Sequence, residues 1–270
     1  MIAPEYVAAR AVLLDALAAL RDHLPAIVLV GAQAVYLHTG AADLVTAPMT
    51  TDADIALAPG SLRDEPKLED ALRAAGFVAG ANPGSWRGRG DVAIDLMVPE
   101  ALSGAPSRRR AHIPGHGSNA ARRTHGLEPA LVDNEIHELS ALDPADPRQC
   151  RLSVAGPVAL LVAKIIKIDE RRAQPPHRQK AKDGLDVLRL LRVLDPAETA
   201  GRLRELEADG LAGPVIRSAI TALRQHGADR DGPIATLAAT AVVGLDDEEV
   251  TRESTAILIE DLLGQYALAP

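Results

Sequence analysis

Cysteine is almost absent from this chain, and aromatic side chains are nearly so. The single Cys150 has no partner for an internal disulfide and excludes a multi-cysteine zinc site. Aromatic residues make up 2 % of the 270 positions, so Phe77 and Trp86 cannot build the stacking platforms that hold single-stranded nucleic acid. No apolar run approaches the roughly 18 residues of a membrane span. The opening Met-Ile-Ala-Pro-Glu-Tyr lacks a basic stretch leading into an apolar one. No secretory signal is therefore expected, and the cytoplasm is the expected location. Positive charge is also in deficit. A net charge of −8 argues against a protein that binds nucleic acid over its whole surface.

What the chain does contain is aliphatic. Hydrophobic residues reach 47 % and charged residues 24 %, an ordinary globular balance dominated by Ala, Leu and Val. The core is therefore aliphatic and largely helical, in one large domain or two small ones. The charge is uneven. Residues 1–105 hold 7 basic and 13 acidic groups, residues 106–192 hold 16 and 10, and residues 193–270 hold 6 and 14. A basic middle between acidic ends points to a local anionic partner, with phosphates the natural choice.

Hydrophobic spacing predicts a helix over 5–22, ended by Pro25, and then a buried strand Ile27-Val28-Leu29-Val30 that stops at Gly31. A helix from Ala32 to His38 follows, stopping at Gly40. Strand, glycine and helix in succession make a tight turn that lets a phosphate approach backbone N–H groups. A helix is expected from Glu69 to Ala75, a turn at 82–85, and a strand over 91–98. Residues 100–130, rich in Arg, Gly, Pro, Ser and His, read as an irregular basic loop. Within it Ile113-Pro114-Gly115 prevents the helix that would align His112 with His116 on a metal. Short strands near 135–139 and 151–154 extend the sheet. Pro157 opens a strong helix that runs to Arg172, a second helix reaches about Val193, and the remainder is helical, ending near 254–263.

The most informative run is Thr51-Asp52-Ala53-Asp54-Ile55-Ala56-Leu57. On a strand, positions i and i+2 share a face, so Asp52 and Asp54 stand side by side. Like charges that close repel unless a cation or proton lies between them. An oxygen-only donor set suits Mg²⁺, which takes one or two carboxylates plus substrate phosphates. Asp95 lies mid-strand, where it is either exposed at an edge or aimed at a cation. Three carboxylates converging from neighbouring strands can hold two divalent ions for an in-line phosphoryl displacement. The third can also act as general base, and a lysine nearby can neutralise a triphosphate.

With these pieces in place, the chain resembles the nucleotidyltransferase superfamily of the polymerase-β type, and within it the AbiEii-like toxin family of bacterial toxin–antitoxin systems. The resemblance rests on Val30-Gly31-Ala32-Gln33-Ala34, Thr51-Asp52-Ala53-Asp54-Ile55, Ile94-Asp95-Leu96, Lys164 within Leu160–Ile168, and Lys182-Asp183-x-x-Asp186. It implies an α/β fold: a nucleotidyltransferase domain over 1–155 with a mixed sheet flanked by helices, then a helical domain over 156–270 that contributes to the active-site cleft. Asp52, Asp54 and Asp95 would bind Mg²⁺, or Mn²⁺ in its place, with Asp95 alternatively the base. Gly31, Ala32, Thr51 and Lys164 would contact the NTP. A late aspartate is needed in the family, and Asp183 and Asp186 both fit. By their residues alone, Asp183 could instead cap a helix and Asp186 could pair with Lys182.

The implied activity is transfer of NMP from an NTP to an RNA acceptor, first of all the 3′ end of tRNA, by a toxin with a cognate antitoxin protein as partner. The alternatives are a nucleotidyltransferase that modifies a small molecule or protein, and a non-catalytic NTP-binding regulator. Two departures stand out. Alanine follows Gly31 where the family has Gly-Gly or Gly-Ser, and the Gly- and Arg-rich run 84–90 precedes the third acid as either a hairpin or a substrate lip.

Overall fold

A computed structural model describes residues 3–40, 52–104 and 109–268. The chain divides into two compact units, one comprising Met1–Ala34 and Met49–Ala155, the other Val35–Pro48 and Gly156–Pro270.

The first unit is built on an open mixed sheet. In chain order its strands are β1 (Ile27–Val30), β2 (Asp52–Leu57), β3 (Val78–Ala79), β4 (Ser85–Arg87), β5 (Ala93–Pro99), β6 (Arg122–Thr124), β7 (Asn134–Ser140) and β8 (Gln149–Ala155). Their spatial order is β3-β4-β5-β2-β1-β8-β7, with β6 added on β5. The pairs β2–β5, β1–β8 and β5–β6 are parallel, and the others antiparallel. The helices of this unit are α1 (Pro4–Ala19), the start of α2 (Gly31–Thr39), α3 (Leu68–Ala74) and α4 (Glu128–Val132).

Alternation sets the two sheet faces. Ile27 and Leu29, Ile55 and Leu57, and Ile94 and Leu96 all point to one side and are fully buried. Helix α1 covers that side with Leu13 and Leu17 and packs on β2, β5 and β8. Burying so many aliphatic chains, at about 2 kcal/mol each, drives this layer together. The opposite face carries the acids.

The helix expected over 5–22 is shorter. Helix α1 ends at Ala19, and the chain continues as a 3₁₀ turn, Arg21–Ala26, with Pro25 inside it. A proline ring in an α-helix would strike the carbonyl four residues earlier, so the backbone changes its winding before Pro25 is reached. The run 84–90 is a hairpin, the first of the two alternatives. Gly88 N–H bonds to the Val92 carbonyl, and Asp91 sits at a positive φ in the turn, which delays the strand to Ala93. The irregular loop expected over 100–130 carries more structure, since β6 and α4 lie within it. The buried Glu128 carboxylate accepts the N–H groups of Ala101 and Gly126 and ties its two ends together. Both ring nitrogens of His116 are used on backbone, Nδ1 by the Leu68 N–H and Nε2 by the Arg63 carbonyl.

The second unit is helical beyond Gly156: α5 (Pro157–Arg172), α6 (Ala181–Val193), α7 (Pro196–Glu207), α8 (Gly213–Ala222), α9 (Pro233–Ala241) and α10 (Glu248–Leu268). Helix α6 packs on α9 through Leu185, Leu188, Ala238, Ala241 and Val242. Gly184 makes that crossing close, because a Cβ there would meet the Ala238 backbone. Asp195 caps α7 by accepting the N–H groups of Ala197 and Glu198. Among the described residues, no helix is long and apolar enough to cross a membrane.

Candidate active site

Strand β2 lies at the centre of the sheet, and its register places the acids. Asp54 is opposite Val30 on β1 and opposite Asp95 on β5, and Asp52 is opposite Ala93. Registered neighbours share a face, and so do residues two apart on one strand. Asp52, Asp54 and Asp95 therefore stand on the same face, all partly exposed. The intervening Ala53, Ile55, Ile94 and Leu96 are buried on the other side.

Helix α2 starts immediately after β1, at Gly31, whose φ of +70° belongs to the left-handed region. The side-chain space that Gly31 leaves open is filled by the Asp54 carboxylate, and a Cβ at Gly31 would collide with it. The first turn of α2 is thus moulded around one of the acids. We expect Gly31→Ala to cost about 2–4 kcal/mol from backbone strain and overpacking together. It also displaces the Asp54 carboxylate. Urea unfolding of the variant tests this, and a stability equal to that of the wild type would contradict this role for the glycine.

The start of β2 is held from behind by Gln33 and by Arg10, which no sequence pattern marks. The buried Arg10 of α1 donates from Nε to Gln33 Oε1 at 2.9 Å, and to the Ser140 carbonyl and the Tyr6 hydroxyl at 3.1 Å each. A guanidinium can only donate, so the Gln33 amide must turn its NH₂ the other way. Gln33 Nε2 meets the Asp52 carbonyl at 3.3 Å. Buried hydrogen bonds thus connect α1, the first turn of α2 and the first acid of β2. Arg10 and Gln33 are 23 positions apart, and only the fold brings them together.

Asp95 has a guanidinium beside it. Arg122 NH2 lies 3.2 Å from Asp95 Oδ2. Arg122 is another residue that sequence reasoning missed, because a three-residue basic strand has no periodicity to read.

The remaining predicted site residues gather in the second unit. Lys164 on α5 donates to Asp183 at 2.9 Å and to Asp186 at 2.6 Å on α6. Lys167 adds a contact to Asp183 at 2.9 Å, and Arg171 lies 3.6 Å from its other oxygen. Arg189 pairs with Asp186 at 3.4 Å and lies over the Tyr36 ring. Lys164, Asp183, Asp186 and Arg189 are all buried. The two residue-level alternatives are corrected here. The cap position of α6 is Lys180, so Asp183 sits inside the first turn facing α5. Asp186 takes Lys164 and Arg189, because its side of the helix faces α5. Burial alone would lift the Asp183 carboxyl, but the Lys164 and Lys167 ammoniums outweigh it and hold the group far below the usual carboxylate range. Burial likewise pushes Lys164 down, and the two aspartates overcome it and hold it far above the usual lysine range. Ala32 is buried in the first turn of α2, and Thr51 lies outside the described residues.

The three acids offer only carboxylate oxygens, the donor type a divalent cation takes, on one partly exposed sheet face, with Gly31 packed against the second of them. No protein-family model matches the chain, and no curated protein matches it. Two solved structures, both from Helicobacter pylori, resemble it. JHP933 has a TM-score of 0.46 at 11 % identity, with 99 % of this chain and 96 % of that one covered. A second protein, named provisionally as a nucleotidyltransferase, has a TM-score of 0.49 at 10 % identity, with 99 % and 98 % covered.

Proposed function

We propose that this chain is a metal-dependent nucleotidyltransferase that moves a nucleoside monophosphate from an NTP to an acceptor hydroxyl. The observation that carries the reading is the register of β2 with β5, which sets Asp54 opposite Asp95 on the face that also holds Asp52. The position of Gly31 against Asp54 supports it, as does the motif resemblance.

In this reading Asp52 and Asp54 hold Mg²⁺, or Mn²⁺, with Asp95 as the third ligand or as base. The bound ion would neutralise phosphate charge and draw electrons from the reacting phosphorus. The acceptor oxygen bonds to the α-phosphorus as the bond to the β-phosphate oxygen breaks, and pyrophosphate leaves. The acceptor proton passes to Asp95 when that carboxylate is the base. Gly31, Ala32 and Thr51 offer backbone and hydroxyl donors to the triphosphate, and the start of α2 adds its dipole. Lys164, Asp183 and Asp186 enter this proposal through the motif resemblance alone.

RNA is the proposed acceptor, with the 3′ end of tRNA first. The basic balance of residues 106–192 supports a phosphate-rich partner. A toxin role in the cytoplasm, restrained by a cognate antitoxin protein, completes the reading. The test is incubation of the full chain with α-labelled NTPs, Mg²⁺ and total RNA. Label is expected on RNA in the tRNA size range, and chelation of the metal should abolish it. Label on protein or on a small molecule alone would replace the RNA acceptor, and no label anywhere would remove the enzyme reading.

A further inference from the structure

Arg122 stands on the acid face with more hydrogen-bonding capacity than its position uses. Strand β6 runs parallel to β5 with Arg122 opposite Met97, two residues from Asp95 and on the same side. Its side chain is 37 % exposed, and its NH2 nitrogen lies 3.2 Å from Asp95 Oδ2. The same nitrogen lies 3.1 Å from Met97 Sδ, a weak acceptor. Arg122 Nε is buried and has no hydrogen-bond partner among the described residues. An arginine kept only to neutralise a carboxylate ordinarily uses both prongs of its fork. Here the buried Nε donor is left over.

The backbone that carries Arg122 is closely held. Gly84, at a φ of +72°, sits against the Leu96 carbonyl and the Arg122 N–H so tightly that a Cβ would strike both. The neighbouring Arg123 is tied to Glu100. The root of Arg122 is fixed, while its head lies at the partly open acid face.

We propose that Arg122 is a triphosphate-binding residue that serves as the counter-ion of Asp95 until metal and nucleotide arrive. The proposal rests on the nucleotidyl-transfer reading of this site. Three carboxylates on one face require positive charge nearby. Without a divalent cation, Arg122 supplies it to Asp95. A cation on Asp95 replaces the guanidinium, which then has a planar set of N–H donors suited to phosphate oxygens.

This makes two predictions of opposite sign for one substitution. Arg122→Ala should bind Mn²⁺ alone several-fold more tightly, because a competing cation is gone. It should bind a non-hydrolysable NTP analogue in saturating Mg²⁺ roughly tenfold or more weakly, because a charge-assisted phosphate contact is lost. Arg122→Lys keeps the charge but not the fork, so it should match the wild type for Mn²⁺ and fall between the two for nucleotide. Paramagnetic resonance of Mn²⁺ and calorimetry read both constants on the full chain, and far-UV dichroism confirms folding. Wild-type constants in Arg122→Ala overturn the proposal, as does weakened nucleotide binding without tighter Mn²⁺. A wild-type chain that binds neither Mn²⁺ nor nucleotide overturns the nucleotidyl-transfer reading itself, and so separates the two failures.

Discussion

On the proposed function, Asp54→Asn is expected to lower nucleotidyl transfer by about three orders of magnitude or more, while the melting temperature falls by only a few degrees. Removing a group that acts on the reacting charge typically costs catalysis on that scale. The change is nearly isosteric and lies on a partly exposed face, so the layer of Ile55, Ile94 and Leu96 behind it stays packed. Asp52→Asn and Asp95→Asn should behave alike. Residues that hold one cation act as a unit, so the Asp52→Asn/Asp54→Asn double variant should be little worse than either single one. Steady-state transfer assays and Mn²⁺ titration check this together. Asp54→Asn with wild-type metal binding and wild-type transfer would remove Asp54 from the site.

Lys164→Met is expected to destabilise the helical unit by about 3–5 kcal/mol, because it removes the buried cation shared by two buried carboxylates. Asp183 keeps Lys167 and Arg171 as partners, but among the described residues Asp186 keeps only the ion pair with Arg189. The charge left over is therefore mainly that of Asp186, and Lys164→Met/Asp186→Asn should recover part of the loss. The pH dependence follows from two shifts. Asp183 is held below the range of an unfolded carboxylate, so it adds stability above about pH 4 that disappears as pH falls. Lys164 is held above the range of an unfolded lysine, so its contribution is complete below about pH 10 and disappears as pH rises further. Stability should be flat between those limits and fall on both sides, and Lys164→Met should weaken both falls. Urea unfolding at a series of pH values measures this. A variant as stable as the wild type at neutral pH would show that the buried pairs do not hold α5 to α6.

Much of the local structure is legible from residue order alone. Pro157 and the apolar spacing behind it define α5 from its first residue to its last. The alternation of Asp52, Ala53, Asp54 and Ile55 places the two acids on one face before any partner strand is known. The end of α1 was misjudged, because the periodicity of its apolar residues continues past the point where Pro25 forces a different winding. Strand β6 was hidden because a pairing of three residues depends on its neighbour and hardly at all on its own composition.

Sequence by itself determined most of the longer elements, the aliphatic nature of the core and the placing of Asp52 and Asp54 on one strand face, because these depend on periods of two and 3.6 residues within short segments. Only the tertiary structure decided which residues meet across the chain. Strand register brought Asp95 opposite Asp54 and Arg122 beside Asp95. Packing of α5 on α6 turned Asp183 and Asp186 toward Lys164. The ammoniums of Lys164 and Lys167 then keep the buried Asp183 ionised, since an aspartate removed from water stays charged only where a cation is held against it.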